Sequence, residues 1–306
     1  NGQYLWTAGP ETQGNTALIR VTAHAGTATV SDTSDEPFLI ANDGTAYYVN
    51  LSTDTDLADN EYTTAAGNNI NSGKDAAHPM ASVSALLRAY DLDAGDVIYV
   101  DTGRYDLTTN ILIEAQDAGV TIKGAENHTT LLNRGNTNSG QYTVQVNGAT
   151  NVTLDHLSIT GGSQGVYVHN GSNYFTLTNS ELYSNASHSV AIDSSHYYVI
   201  SGNKMHDDGW GDTLYGGAVG SSYSNYGTIS GNLVYSEQGA YGAAIRPYSG
   251  TGTVISDNHL YGNKNTAIQF YGGSGVVRGN RIHDNAYQGI NADGNQGVEI
   301  VDNDIW

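Results

Sequence analysis

Alternate positions along a series of short apolar segments carry side chains able to do chemistry: Tyr167 and His169, Asp193, Arg246 and Tyr248, Gln269 and Tyr271, Asn291 and Asp293. The residues between them include Val166, Val168, Val190, Ile192, Ile268 and Phe270. Period-two alternation therefore sends the apolar set inward and the reactive set outward. Rings beside imidazole, guanidinium and carboxylate groups on one flat face are what a sugar-binding groove requires, with ring faces for pyranoses and polar tips for hydroxyls or carboxylates. Stacked strands lie about 4.8 Å apart, so His169 and Asp193, in one column of successive repeats, are expected to hydrogen-bond as an oriented base. Arg246 and Tyr248 follow further along the same face.

Two reactions fit these residue types. A lyase neutralises a uronate carboxylate with Ca²⁺ or Arg, removes the C5 proton and protonates the leaving oxygen. Arg246 or His169 would neutralise or abstract, and Tyr248 would donate. A glycoside hydrolase of a neutral polysaccharide needs two carboxylates with separated pKa values, which Asp193 with Asp207, Asp208, Asp212 or Glu237 would supply. A third reading is a noncatalytic glycan-binding or stalk module. Asp207, Asp208 and Asp212 also offer hard oxygen ligands on one turn, the donor set that Ca²⁺ prefers. Trp210 in the same turn and Glu237 join Tyr167, Gln269, Tyr271, Asn291 and Asp293 as expected substrate contacts.

The elements that must position these residues show in a repeat. A small polar residue, any residue, an aliphatic and usually an aromatic recur as Asp155-His-Leu157, Ser180-Glu-Leu182-Tyr183, Asn203-Lys-Met205-His206, Asn232-Leu-Val234-Tyr235, Asn258-His-Leu260-Tyr261, Asn280-Arg-Ile282-His283 and Asn303-Asp-Ile305-Trp306. The aliphatic anchors are 25, 23, 29, 26, 22 and 23 residues apart, the period of a solenoid in which each turn is one supersecondary unit. The longest interval contains the stretch from His206 to Gly217, and insertions in such repeats sit on the working face. With 38 Gly, 22 Tyr and only 4 Pro among 306 residues, the composition is that of many short strands joined by tight turns.

Ahead of the repeat, residues 46–105 contain Ala46-Tyr-Tyr-Val49, His78-Pro79, an apolar series Met80, Val83, Leu86, Leu87 and Tyr90, then Gly95-Asp-Val-Ile-Tyr-Val100 and Gly103-Arg-Tyr105. The series has helical spacing, opens at a proline, and would cap the open end of a solenoid. This layout resembles the pectate-lyase-like superfamily of right-handed parallel β-helices over residues 46–306. The resemblance implies an all-β, three-sheet solenoid with an N-terminal amphipathic cap helix. It also implies an asparagine ladder between second and third strands, a substrate groove on the first sheet, and secretion or display at the cell surface. The string Asp207-Asp-Gly-Trp-Gly-Asp212 is similar to the calcium loop of family 9 pectate lyases, with Gly211 inserted. That family's aspartate one coil earlier has no counterpart in Tyr183-Ser-Asn185, and its groove lysine is missing. Motifs of the polygalacturonases and alginate epimerases are absent.

Residues 1–42 read as the end of a β-sandwich-like repeat or a linker, and 43–306 as the β-helix, with its cap at 43–95 and coils at 96–306. The pattern stops inside a repeat at Trp306, so a larger multidomain chain, monomeric, is expected. A net charge of -20, from 31 acidic against 11 basic residues, leaves no electrostatic footprint for nucleic acid. No apolar run is long enough for membrane insertion, and without cysteine thiolate metal sites are excluded.

Overall fold

The computed structural model describes residues 14–40, 44–211, 216–292 and 297–306. From Ala46 the chain winds into a solenoid whose strands pair in parallel with those of the coils before and after. Each coil contributes a strand to three ranks. In one coil these are His188–Asp193, Val199–Ser201 and Lys204–His206; in the next, Gly217–Ser222, Thr228–Ser230 and Leu233–Tyr235. The first and second ranks run together as a 17-stranded sheet, and the third is a separate 9-stranded sheet.

Strands this short end because corners are imposed by left-handed residues. After the third strand of successive coils come Ser184 (φ 55°), Asp207 (φ 60°), Ser236 (φ 58°), Gly262 (φ 63°) and Asp284 (φ 53°), a conformation an extended strand cannot continue through. Inward residues stack in columns: Val144, Val166, Val190, Val219, Ile245 and Ile268 from the first rank; Leu154, Leu177, Ile200, Ile229, Ile255 and Val277 from the second; Ile159, Leu182, Met205, Val234, Leu260 and Ile282 from the third. All are essentially excluded from water. In-register pairing joins Leu182 to Ile159, not to Leu157, so the first anchor of the sequence repeat is displaced by two residues. Leu157 instead stands at the foot of the polar ladder, its N–H donating to Ser180 Oγ at 3.1 Å.

That ladder is built from Asn203, Asn232, Asn258, Asn280 and Asn303. Each Oδ1 accepts the backbone N–H of the residue one coil earlier at 2.9–3.0 Å, while each of the first four Nδ2 groups donates up the ladder and to a second-rank carbonyl. Beside it six rings stack, Tyr183, His206, Tyr235, Tyr261, His283 and Trp306, with centroids 4.7–5.3 Å apart. Asn232→Ala would strand the two donors of Asn203 and the carbonyl of Ile200 in the interior, at a cost of about 3 kcal/mol. Chemical unfolding should read this loss, and Asn232→Ser should recover part of it.

The cap helix is shorter than its sequence pattern predicts. It spans Val83–Ala89, with Ser82 as N-cap accepting from Ala85 N–H at 3.1 Å. Met80 precedes it in a bridge to Val49, and Pro79 lies outside it. Its buried face, Val83, Leu86 and Leu87 with Tyr90 beyond, closes the first coils. Residues 20–33 form an antiparallel hairpin whose side chains are all exposed. No helix is long and apolar enough to cross a membrane among the described residues.

Candidate functional site

The outward residues of the first rank fall into two columns fixed by register. One runs Gln145, Tyr167, Ala191, Gly220, Arg246, with Gln269 and Asn291 beyond; the other contains Asn147, His169, Asp193, Ser222, Tyr248 and Tyr271. In the first column, Ala191 and Gly220 open a gap between Tyr167 and Arg246. The ring of His188 crosses that gap: a Cβ on Gly220 would lie 2.6 Å from its Nε2. His188 Nδ1 is 2.9 Å from Ser187 Oγ.

A pocket of about 430 Å³ results, walled by Tyr167, His188, Asp193, Tyr223, Arg246 and Tyr248. The Arg246 guanidinium sits over the rings of Tyr248 and Tyr271, at 5.9 and 5.5 Å from their centroids, a cation–π arrangement that fixes the fork. Tyr223, at a left-handed corner (φ 50°), meets Tyr248 edge-on at 5.4 Å. Its hydroxyl pKa is raised by the hydrogen bond to Tyr248 and by the charge of that phenol, then by Asp193. A second hollow of about 540 Å³ shares Arg246, Tyr248 and Ser222 and continues to Tyr241, Gln269 and Tyr271. A third shares Tyr241 and Gln269 and reaches Asn291. Gly220→Ala should displace the His188 ring and cut any activity that uses it at least tenfold, while circular dichroism and melting temperature change little.

Several expected roles change. His169 does not hydrogen-bond to Asp193. Its Nε2 faces the Gln145 amide at 3.0 Å, and an amide N–H only donates, so the ring proton sits on Nδ1. Its ring stacks on Tyr167 at 4.4 Å, and burial lowers its pKa, against the opposing effects of Asn170 and Asp193. Burial, then the charge of Asp193, raises the Tyr167 pKa. Asp193 lines the pocket and accepts from Ser194 Oγ at 3.0 Å.

Glu237 is not a groove residue: it is 3% exposed and belongs to a second interior ladder with Asn185, Asp208, Asn263 and Asn285. Asp208 is fully buried there, its Oδ1 accepting from Asn185 N–H at 2.6 Å and Nδ2 at 3.0 Å, its Oδ2 from Ser189 Oγ. Asp207, at the left-handed corner, turns the other way and pairs with His206 Nδ1 at 2.7 Å. The adjacent carboxylates of Asp207 and Asp208 thus diverge instead of converging on one point. No group of three His, Asp or Glu able to hold a metal occurs among the described residues. Trp210 is exposed at the start of the same turn. Asp212 and Asp293 lie outside the described residues.

Sequence reasoning missed His188 and Tyr223. Strict alternation from Val190 and Ile192 assigns His188 to the interior, but it sits where the strand leaves a corner and its ring swings over Gly220. The small pair Ala191 and Gly220 in one column was the available signal.

Residues 164–306 match the family described as the right handed beta helix region. With the three parallel ranks, that decides the architecture. The chain is a right-handed parallel β-helix. An alginate lyase from Paenibacillus sp. str. FPU-7 superimposes with a TM-score of 0.50 and 16% identity, over 73% of this β-helix and 95% of the lyase. A DFA-IIIase from Arthrobacter chlorophenolicus A6 in complex with GF2 gives 0.57 and 18%, over 73% of this chain and 61% of that one, so this β-helix spans under two thirds of that enzyme. Pectate lyase Pel9A gives 0.57 and 15%, over 85% and 78%. At these identities the likeness is one of fold. No curated protein matches the β-helix in sequence.

Proposed function

We propose that this protein, secreted or displayed at the cell surface, is a polysaccharide lyase that cleaves a uronate-containing glycan by β-elimination in the pocket around Arg246. One observation carries the reading: a single pocket combines a ring-clamped guanidinium, an imidazole and two phenols packed edge to face with only one described carboxylate, Asp193. Arg246 pairs with the uronate carboxylate and lowers the barrier to carbanion formation at C5. His188 removes the C5 proton; the C4–O4 bond breaks as the C4=C5 double bond forms, and Tyr248 gives its proton to O4. Tyr223 stabilises the resulting phenolate, which regains a proton from water as His188 loses its own. Solved lyases with the same fold support the class.

Two-carboxylate hydrolysis of a neutral glycan has less support, since Asp208 and Glu237 lie in the interior and leave Asp193 alone on the pocket wall among described residues. The deciding experiment incubates the protein with acidic and neutral polysaccharides, with Ca²⁺ or with chelator, reading ultraviolet absorbance of the unsaturated product and release of reducing ends. Absorbance that survives chelation is the expected result. Reducing ends without absorbance would establish hydrolysis, and silence in both channels would leave a binding or stalk module. Absorbance lost in chelator would move charge neutralisation from Arg246 to the 207–212 segment.

A further inference from the structure

We infer that the hollow between the cap helix and the start of the first sheet is a distal subsite for an uncharged sugar of the same polymer, which makes the substrate a heteroglycan rather than a homopolyuronate. The inference rests on the lyase reading for the identity of the polymer. The hollow measures about 1000 Å³, more than the pocket around Arg246, and Leu112 and Gln145 on its floor continue the column that leads through Tyr167 to Arg246. From Gln145 to Arg246 is a run of four register steps, about 19 Å at the spacing of stacked strands. A glycan lying along the groove through His188 and Arg246 meets this hollow on the cap side.

Its chemistry is that of amides held in place. Arg134, 7% exposed, spends its fork on Asn110 Oδ1 at 3.3 Å, the Leu107 carbonyl at 3.1 Å and Gln141 Oε1. Asn110 Nδ2 then donates to Gln145 Oε1 at 3.0 Å and to the Gly140 carbonyl at 3.1 Å. The buried cation thus orients three side-chain amides instead of meeting an anion; with both Asn110 N–H groups and one Gln145 N–H already engaged, the Gln141 Nε2 and the second lone pairs of the amide oxygens are what face sugar hydroxyls. The remaining charged groups facing the hollow are Arg88, exposed on the helix, against Asp91 and the half-buried Glu114, with Asp117 buried behind them. A uronate carboxylate would find only the exposed Arg88 to receive it, outnumbered by Asp91 and Glu114, whereas a neutral hexose meets no such opposition.

The test uses three probes: gellan, in which one uronate occurs among neutral sugars, polygalacturonate, and an unsaturated-end uronate trisaccharide too short to span four coils. The variant is Leu112→Trp, which fills the hollow from a side chain that is already 37% exposed. The wild type should show a higher kcat/KM on gellan than on polygalacturonate. Leu112→Trp should lower the ratio of kcat/KM for gellan over that for the trisaccharide about tenfold, mainly through KM. Cleavage of both probes with an unaltered ratio overturns the subsite and leaves the lyase reading standing. If no probe is cleaved, the lyase reading falls, and affinity electrophoresis in gellan gels decides the hollow separately. Retardation of the wild type that Leu112→Trp weakens supports it, and equal mobility of the two overturns it.

Discussion

Replacing Arg246 by alanine is expected to lower the rate of elimination about a thousandfold, a loss of about 4 kcal/mol of transition-state stabilisation. The charge that develops at C5 is delocalised into the uronate carboxylate, so the group opposite that carboxylate acts more strongly in the transition state than in the ground state. The fall should therefore appear in kcat as well as in kcat/KM. Arg246→Lys restores a point charge but neither the two-pronged pairing nor the seat over Tyr248 and Tyr271, and should recover only part of the rate. His188→Ala should cost about a hundredfold or more by removing the base. Initial rates from product absorbance, with circular dichroism to show an intact fold, measure all three. An Arg246→Ala enzyme within tenfold of the wild type would remove the guanidinium from the mechanism.

Asp208→Asn is expected to raise the melting temperature by roughly 5 °C at pH 8 and by little at pH 5. In the second ladder Asn185 donates its Nδ2 to Asp208, and Asn263 donates to Asn285 at 2.7 Å, but between Asp208 and Glu237 a carboxyl group faces a carboxyl group. Neither oxygen of Glu237 makes a hydrogen bond of ordinary geometry, and only the nearby Asp208 N–H favours its ionised form. Burial pushes the Asp208 carboxyl up to about 7 despite its hydrogen bonds from Ser189 and Asn185, and burial together with the Asp208 charge raises Glu237 well above the usual carboxylate range. Because both folded-state values lie above those of the unfolded chain, the neutral forms favour folding. The stabilisation from neutral Asp208 is complete below about pH 4 and is lost as pH rises through about 7, and that from neutral Glu237 is lost in the same direction. An asparagine at 208 keeps the acceptor for Asn185, turns its Nδ2 to Ser189 Oγ and removes one charge beside Glu237, so the gain grows with pH. A melting-temperature difference independent of pH would show that the pair does not titrate in this way.

The regular parts of the fold were legible because they repeat. Asn203, Asn232, Asn258, Asn280 and Asn303 advertise the ladder by their spacing, and alternation sorted Val190 and Ile192 from Asp193 correctly. What alternation cannot see is a corner. It left His188 inside, and it could not foresee that the left-handed turn at Asp207 sends two neighbouring aspartates in opposite directions. Glu237 was misplaced for a related reason: it holds a ladder position normally filled by asparagine, and a carboxylate there reads as a surface residue until the stacking of coils is known. Similarly, the amphipathic series from Met80 to Tyr90 is real, but only Val83–Ala89 is helical, because Met80 is claimed by its bridge to Val49.

The in-register stacking of the first rank has an evolutionary corollary. Each outward side chain occupies a fixed rung, and neighbouring rungs differ by one coil, a distance close to the length of one pyranose. A functional group cannot drift along this groove by fractions of an ångström; it can only be lost at one rung and gained at the next. A guanidinium gained at Gly220 and lost at Arg246 would carry the point of cleavage along the glycan by a whole sugar. Change in product length in such a groove is therefore digital, with the asparagine ladder as its clock.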